Sequence, residues 1–209
     1  MKLYIYEHCP FSARVRYVAG MLSIPLDIVN IDYDDDKTTT DIIGSKQVPV
    51  LVKDNGEAVA ESLDIIKYFQ EIASSTESHL PSQTVLKWQQ SAFLLLQKVG
   101  YPRWSGMGLA EFNTESARKA WRAKKETDEL DFDALLKNTP AIAKDVELLI
   151  QQVSKVLNLA SYQHVSLVDE AIVFSILRGF FSEPDIEWGP AVKNWMESVS
   201  KKTNVALLK

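Results

Sequence analysis

The run His8-Cys9-Pro10-Phe11-Ser12 contains the one cysteine among 209 residues, and its neighbours point to a reactive sulfur rather than a structural one. Pro10 suits the first turn of a helix, where its missing N–H is harmless. A cysteine just ahead of that turn faces unpaired backbone N–H groups and the positive end of the helix dipole, and both favour thiolate over thiol. The thiolate is the nucleophile. Out of context a lone cysteine is a small buried hydrophobe. Here it follows a strand and is flanked by polar His8 and by proline, so Cys9 is expected at an accessible turn, with His8 an exposed neighbour that tunes it.

The elements that must position this sulfur can be read from periodicity. Lys2 to Tyr6 places Leu3 and Ile5 on one side of a strand, and Val15, Val18, Ala19 and Leu22 recur at helical spacing up to the exit at Pro25. Leu26, Ile28, Val29 and Ile31 form a second strand, and the acidic stretch 32–36 reads as solvated loop. A short helix around Thr39 to Ile43 closes at Gly44. Val48 to Val52, interrupted early by Pro49, pairs as a hairpin with Ala58 to Ala60 through Asp54-Asn55-Gly56. Ser62 is read as the N-cap of a helix carrying Ile65, Ile66, Phe69 and Ile72. Strand, helix, strand, helix, strand, strand, helix is the order of a thioredoxin-like α/β domain, assigned to residues 1–73.

The polar, serine-rich stretch 74–83 is the linker expected between this domain and an all-helical domain over 84–209. Val85, Trp88, Ala92, Leu95, Leu96 and Val99 mark a first helix there, and Asn113 or Thr114 opens another. Thr139 is read as an N-cap followed by Pro140, ahead of an apolar face running from Ile142 to Leu157. Ser166 and Asp169 resemble a capping box before the strongly apolar stretch from Ala171 to Phe181, which is expected to form the last helix, central and buried.

Composition excludes several functions. A formal net charge of −5 does not supply the clustered cations that grip nucleic acid. No run reaches the roughly 20 apolar residues of a membrane helix, and Met1 to Tyr6 reads as the alternation of a strand rather than as the charged and apolar regions of a secretion signal. One cysteine allows no internal disulfide, which suits a reducing, cytoplasmic setting. His8, His79 and His164 are dispersed, so no metal site is expected. The tryptophans read as helix packing, with Arg103-Trp104 a candidate rim of an interdomain cleft.

Three short motifs then fall in register. Cys9-Pro10-Phe11-Ser12, Gln47-Val48-Pro49-Val50-Leu51 and Glu61-Ser62 resemble the glutaredoxins and the cysteine-type glutathione transferases. Met1 to Tyr6, Tyr101-Pro102-Arg103-Trp104, Glu111-Phe112-Asn113-Thr114 and Ala117-Arg118-Lys119 are similar to the two-domain bacterial glutaredoxin 2 family, over essentially the whole chain.

The resemblance implies a glutathione-dependent oxidoreductase. Cys9 attacks a glutathione mixed disulfide, and glutathione serves as co-substrate rather than as a resident cofactor. It implies a cis Val48-Pro49 bond that leaves Val48 free to pair with the glutathione backbone like an added strand, although residue type alone favours trans. Glu61 and Ser62 meet the γ-glutamyl end, and Pro10 and Phe11 complete the binding set. Ser12 stands where a dithiol glutaredoxin has its second cysteine, so the resemblance implies a monothiol route that needs only Cys9 and free glutathione. As a residue, Ser12 fits a hydrogen-bond donor to the thiolate, a plain first-turn serine or an engineered replacement that traps an adduct. Expected partners are glutathionylated proteins or small disulfides, and a monomer is expected. Other readings stay open: an omega-like transferase or dehydroascorbate reductase, a non-catalytic glutathione binder of the intracellular chloride channel type, and a two-chain iron–sulfur binder.

Overall fold

The computed structural model describes residues 1–161 and 165–209; His164 lies outside them. Strand β1 (Lys2–Ile5) leads into α1 (Pro10–Met21), then β2 (Asp27–Asn30), α2 (Thr38–Ile43), β3 (Val50–Val52), β4 (Ala58–Ala60) and α3 (Ser62–Ile72). The strands form one sheet in the order β2-β1-β3-β4, parallel between β1 and β2 and antiparallel elsewhere. A parallel neighbour needs a crossover, which α1 supplies. Leu3 sits in register with Ile28 on one side and Leu51 on the other, and Leu3, Ile5, Val50 and Leu51 are fully buried. This is the thioredoxin-like order that the alternation of apolar residues predicts.

Two local readings change. The cap of α3 is Glu61, in the left-handed region at φ 66, and Ser62 is the first residue inside the helix. The paired part of β3 starts at Val50, because Pro49 has no N–H to give a ladder. The Val48–Pro49 peptide is cis, as the resemblance implies and against the residue-type expectation.

The remainder is helical: α4 (Gln83–Trp104), a 3-10 turn (Ala110–Phe112), α5 (Glu115–Lys125), α6 (Phe132–Lys137), α7 (Thr139–Val156), α8 (Leu167–Phe180) and α9 (Pro190–Thr203). Thr114 caps α5 as expected, accepting from the Ala117 N–H at 3.1 Å. The cap of α7 is Asn138, which moves Thr139 inside the helix. The expected capping box on α8 is half formed. Ser166 accepts from the Asp169 N–H at 3.2 Å, whereas the Asp169 carboxylate accepts from the Ser82 N–H at 2.8 Å, at the start of α4. Aspartate is one methylene shorter than the glutamate that normally closes this box; here it ties the segment between α3 and α4 to α8 instead.

Helix α8 is central and buried, but it is not the last helix. α9 follows and packs on α1 and α7. Its start lacks a side-chain cap, and the signal it does carry, Pro190 at the first helical position, was passed over in the sequence reading. The sequence reading also passed over α6, a single short helix that Asp131 caps through the Ala134 N–H at 2.7 Å.

Helix α1 lies between the two parts of the molecule, against α3 on one side and against α8 and α9 on the other. Its approach to α9 is possible because residue 20 is glycine. A Cβ there would stand 2.5 Å from the Thr203 carbonyl oxygen. Alanine in place of glycine gains about 1 kcal/mol of helix propensity, but the obstacle is backbone, and overpacking of this kind costs about 1–3 kcal/mol. Gly20→Ala is therefore expected to lower Tm in a thermal melt, by about 2–4 °C for each net kcal/mol lost.

Candidate active site

Cys9 is the N-cap of α1, with extended backbone (φ −66, ψ 121) and Pro10 as the first helical residue. The sequence placed it correctly but expected it exposed; it is only 8% accessible. It belongs to the packed core of the chain. Cys9, Pro10, Phe11 and Val48 line one side of an open cleft of about 230 Å³, and Phe93, Gln97, Tyr101, Trp104 and Trp121 of α4 and α5 line the other.

Burial pushes the Cys9 thiol up. Against it work the backbone and hydroxyl of Ser12, the backbone N–H of Phe11 and the Arg14 charge, all of which favour the anion. The helix start thus acts as expected, but at a buried sulfur its effect is outweighed. Ser12 is buried, and its hydroxyl makes no hydrogen bond of ordinary geometry among the described residues. The help it gives the sulfur is that of a nearby dipole.

Arg14 was not foreseen. It sits on α1 among positions that read as apolar, is buried, stacks on the Phe11 ring at 4.7 Å and gives Nη2 to Gln89 at 3.1 Å. Burial lowers its pKa to about 10.

His8 overturns the expectation of an exposed neighbour. It is buried, with its ring 4.7 Å from Trp121, 5.1 Å from Trp104 and 5.4 Å from Phe112. One oxygen of Glu111, a residue with 0% exposure, takes both the His8 backbone N–H at 2.8 Å and Nδ1 at 2.5 Å. Burial holds the His8 pKa down despite this partner. Burial alone would raise Glu111, yet the two His8 donors keep it below the usual carboxylate range. The pair is then a neutral imidazole whose Nδ1–H donates to an ionised carboxylate. A residue from the helical domain thereby fixes the backbone immediately before Cys9.

The sign of the pH dependence follows. Unfolded His8 takes up a proton below about 6.5 and folded His8 resists it, so protons favour the unfolded chain and stability falls as pH drops below that value. Glu111, with a depressed folded pKa, loses its contribution in the same direction at lower pH. Tm is expected to decline between pH 7 and pH 5, and less steeply in His8→Asn, whose amide donates to Glu111 but does not titrate. Equal slopes in the two proteins would assign the acid lability to other groups.

The remaining sequence-derived residues lie around the cleft rather than in its wall. Pro49 is buried behind Val48. Ser62 is buried and Glu61 exposed at the start of α3, where their side chains do not form part of the cleft lining. Lys46 reaches the cleft, but its ammonium is held by the Tyr33 carbonyl and by Asp36, both at 2.6 Å. Trp104 is a cleft residue, as expected of the Arg103-Trp104 pair, whereas Arg103 is engaged elsewhere, by Glu183, Thr139 and the Val99 carbonyl. Trp121, read as packing, also faces the cleft while its Nε1 donates to the Tyr101 carbonyl at 2.9 Å. Among the described residues no group of histidine, cysteine and carboxylate side chains could hold a metal ion, and no helix is long and apolar enough to cross a membrane.

A thioredoxin-like sheet with a cysteine at a helix start, facing a helical domain across a cleft, defines a protein of the glutathione transferase-like class. Residues 3–77 match the family described as "Glutathione S-transferase, N-terminal domain", and residues 84–209 match "Glutaredoxin 2, C terminal domain". The chain belongs to the glutaredoxin 2 family. Glutaredoxin 2 of Escherichia coli strain K12 is 29% identical over 210 residues, covering 100% of this chain and 98% of that relative. The crystal structure of glutaredoxin 2 from Salmonella typhimurium in complex with glutathione superposes with a TM-score of 0.91 at 28% identity, covering 99% of this chain and 96% of that one. Gtt2 from Saccharomyces cerevisiae, at 15% identity and a TM-score of 0.61 over 98% of this chain and 99% of its own, shares the fold.

Proposed function

We propose that the chain reduces glutathione mixed disulfides by a monothiol route in which Cys9 is the only protein sulfur used. The observation that carries this reading is that the single cysteine caps α1 and lines the interdomain cleft, with Ser12 where a resolving thiol would stand. The Cys9 thiolate attacks the glutathione sulfur of the mixed disulfide. The old S–S bond breaks, and its electron pair leaves on the other thiolate, which takes a proton from solvent. A second glutathione thiolate then attacks the glutathione sulfur bonded to Cys9, releasing glutathione disulfide and regenerating the Cys9 thiolate.

The binding set is Cys9, Pro10, Phe11, Val48, Pro49, Glu61 and Ser62. Val48 lines the cleft just ahead of the paired part of β3, which supports strand-like pairing of its backbone with glutathione. The left-handed φ of Glu61 and the exposed N–H groups at the start of α3 support a carboxylate site there. Residues 1–73 form the glutathione-binding domain, 74–83 the linker and 84–209 the helical domain, a division supported by the two family matches. Substrates are glutathionylated proteins or small disulfides, and the setting is a reducing cytoplasm.

The test is turnover of a small glutathione mixed disulfide, coupled to glutathione reductase. Steady turnover with ping-pong kinetics supports the proposal. Absence of turnover by a protein that still binds glutathione removes it. In that case the aromatic side of the cleft makes an omega-like transferase the better account, to be assayed with dehydroascorbate.

A further inference from the structure

Resting on that reading, we propose that the Lys124–Lys125 end of α5 forms the subsite for the non-glutathione half of the mixed disulfide, and that Lys125 selects thiols carrying a carboxylate near the sulfur. The two ends of the cleft differ in how their cations are used. On the sheet side, the charge of Lys46 is already met by Asp36 and the Tyr33 carbonyl. On the helical side, Lys124 and Lys125 line the cleft, and neither forms an ion pair among the described residues, whereas Lys53, Lys67 and Lys119 each do. The adjacent carboxylate, Glu126, is taken by Arg122 through two bonds of 2.6 Å.

Lys125 is also held in place. Its ammonium lies 5.2 Å from the Tyr101 ring centre and 5.7 Å from that of Trp121, a cation–π cradle that fixes the charge on the cleft wall. The side chain is half-buried, and its pKa is lowered by burial and raised by the Cys9 charge across the cleft. A partly desolvated cation lining the same cleft as the reacting sulfur, without a carboxylate of its own, is completed by an anionic ligand. In a chain of net charge −5 this is a local exception.

The assay compares three mixed disulfides of glutathione that share one half and differ in the other: with 3-mercaptopropionate, 2-mercaptoethanol and cysteamine. The parent is expected to favour the anionic over the cationic substrate by about tenfold in kcat/KM, with the gap narrowing as salt rises. In Lys125→Met the anionic-to-neutral ratio of kcat/KM is expected to fall by about tenfold, and in Lys125→Arg to fall much less. Because every substrate uses Cys9 and carries glutathione, a general effect on either cancels in the ratio. An unchanged ratio in a folded Lys125→Met, with all three rates lowered alike, would assign the cation to glutathione or to the thiolate and overturn the proposal. Should the variant not fold, a parent with no charge preference and no salt dependence overturns it equally. No turnover of any substrate by the parent means that the oxidoreductase reading itself has failed.

Discussion

Replacing Cys9 by serine is expected to lower turnover of a glutathione mixed disulfide by at least about a thousandfold. A hydroxyl is not ionised near neutral pH, and it has no sulfur with which to carry the glutathionyl group between the two half-reactions. The other groups that support the anion, Ser12, Phe11 and Arg14, have nothing to act on once the sulfur is gone. A thermal melt separates this loss from a loss of fold, because Cys9→Ser should keep the Tm of the parent to within about 1 °C for a nearly isosteric change at one site. Ser12→Cys is the informative companion. Under the monothiol route it is expected to retain turnover of the mixed disulfide and to gain reduction of a protein disulfide, since a second thiol then resolves the intermediate internally. Activity appearing only in Ser12→Cys would mean that Cys9 alone is insufficient.

The second large effect is on stability. Arg178 of α8 has 0% exposure and makes three hydrogen bonds, to the Ala206 carbonyl at 2.8 Å, the Glu7 carbonyl at 2.6 Å and the Glu7 carboxylate at 2.9 Å. Burial lowers its pKa to about 10, which leaves it charged at neutral pH. Arg178→Met fits a similar volume but leaves the carbonyls of exposed Ala206 and half-buried Glu7 without their donor. Glu7 keeps Arg16 as a partner at 2.7 Å and remains partly solvated, so the loss is below that of a fully orphaned charge. A cost of about 2–4 kcal/mol is expected, on the order of 5–15 °C in Tm for a chain of this size. Arg178→Lys, with a charge but no fork, should recover only part of it. A Tm change under about 2 °C in Arg178→Met would mean that water replaces the guanidinium at little cost.

Much of the fold was legible because it rests on local rules. Alternation in Lys2–Ile5, helical spacing from Val15 to Leu22, the left-handed Gly44 and the turn before Ala58 each reports a backbone state within a few residues. The cysteine's position at a helix start was legible for the same reason, through Pro10. Its burial was not, because the facing wall of the cleft it lines comes from α4 and α5, far along the chain from Cys9. His8 was misread for a related reason. A polar residue after a strand looks solvated until its partner is known, and Glu111 stands 103 residues away. Glu111 itself carries no local mark of burial; it entered only through a family resemblance. Arg14 and Arg178 lie on helices whose neighbours are apolar, where charge suggests a solvent face. Asp169 shows the opposite failure: the motif was seen correctly, and its carboxylate was claimed by Ser82 of another element.

The bond from Arg178 to Glu7 spans 171 residues, and the same guanidinium also reaches Ala206. A ribosome delivers the amino-terminal end first, so the thiol emerges early and the groups that brace its loop emerge late. The thioredoxin-like half can pair its strands while the rest is still being made, but the segment ahead of Cys9 gains its guanidinium anchor only after α8 has been translated. The loop ahead of Cys9 is thus braced last, by a side chain that a nascent amino-terminal half has not yet met.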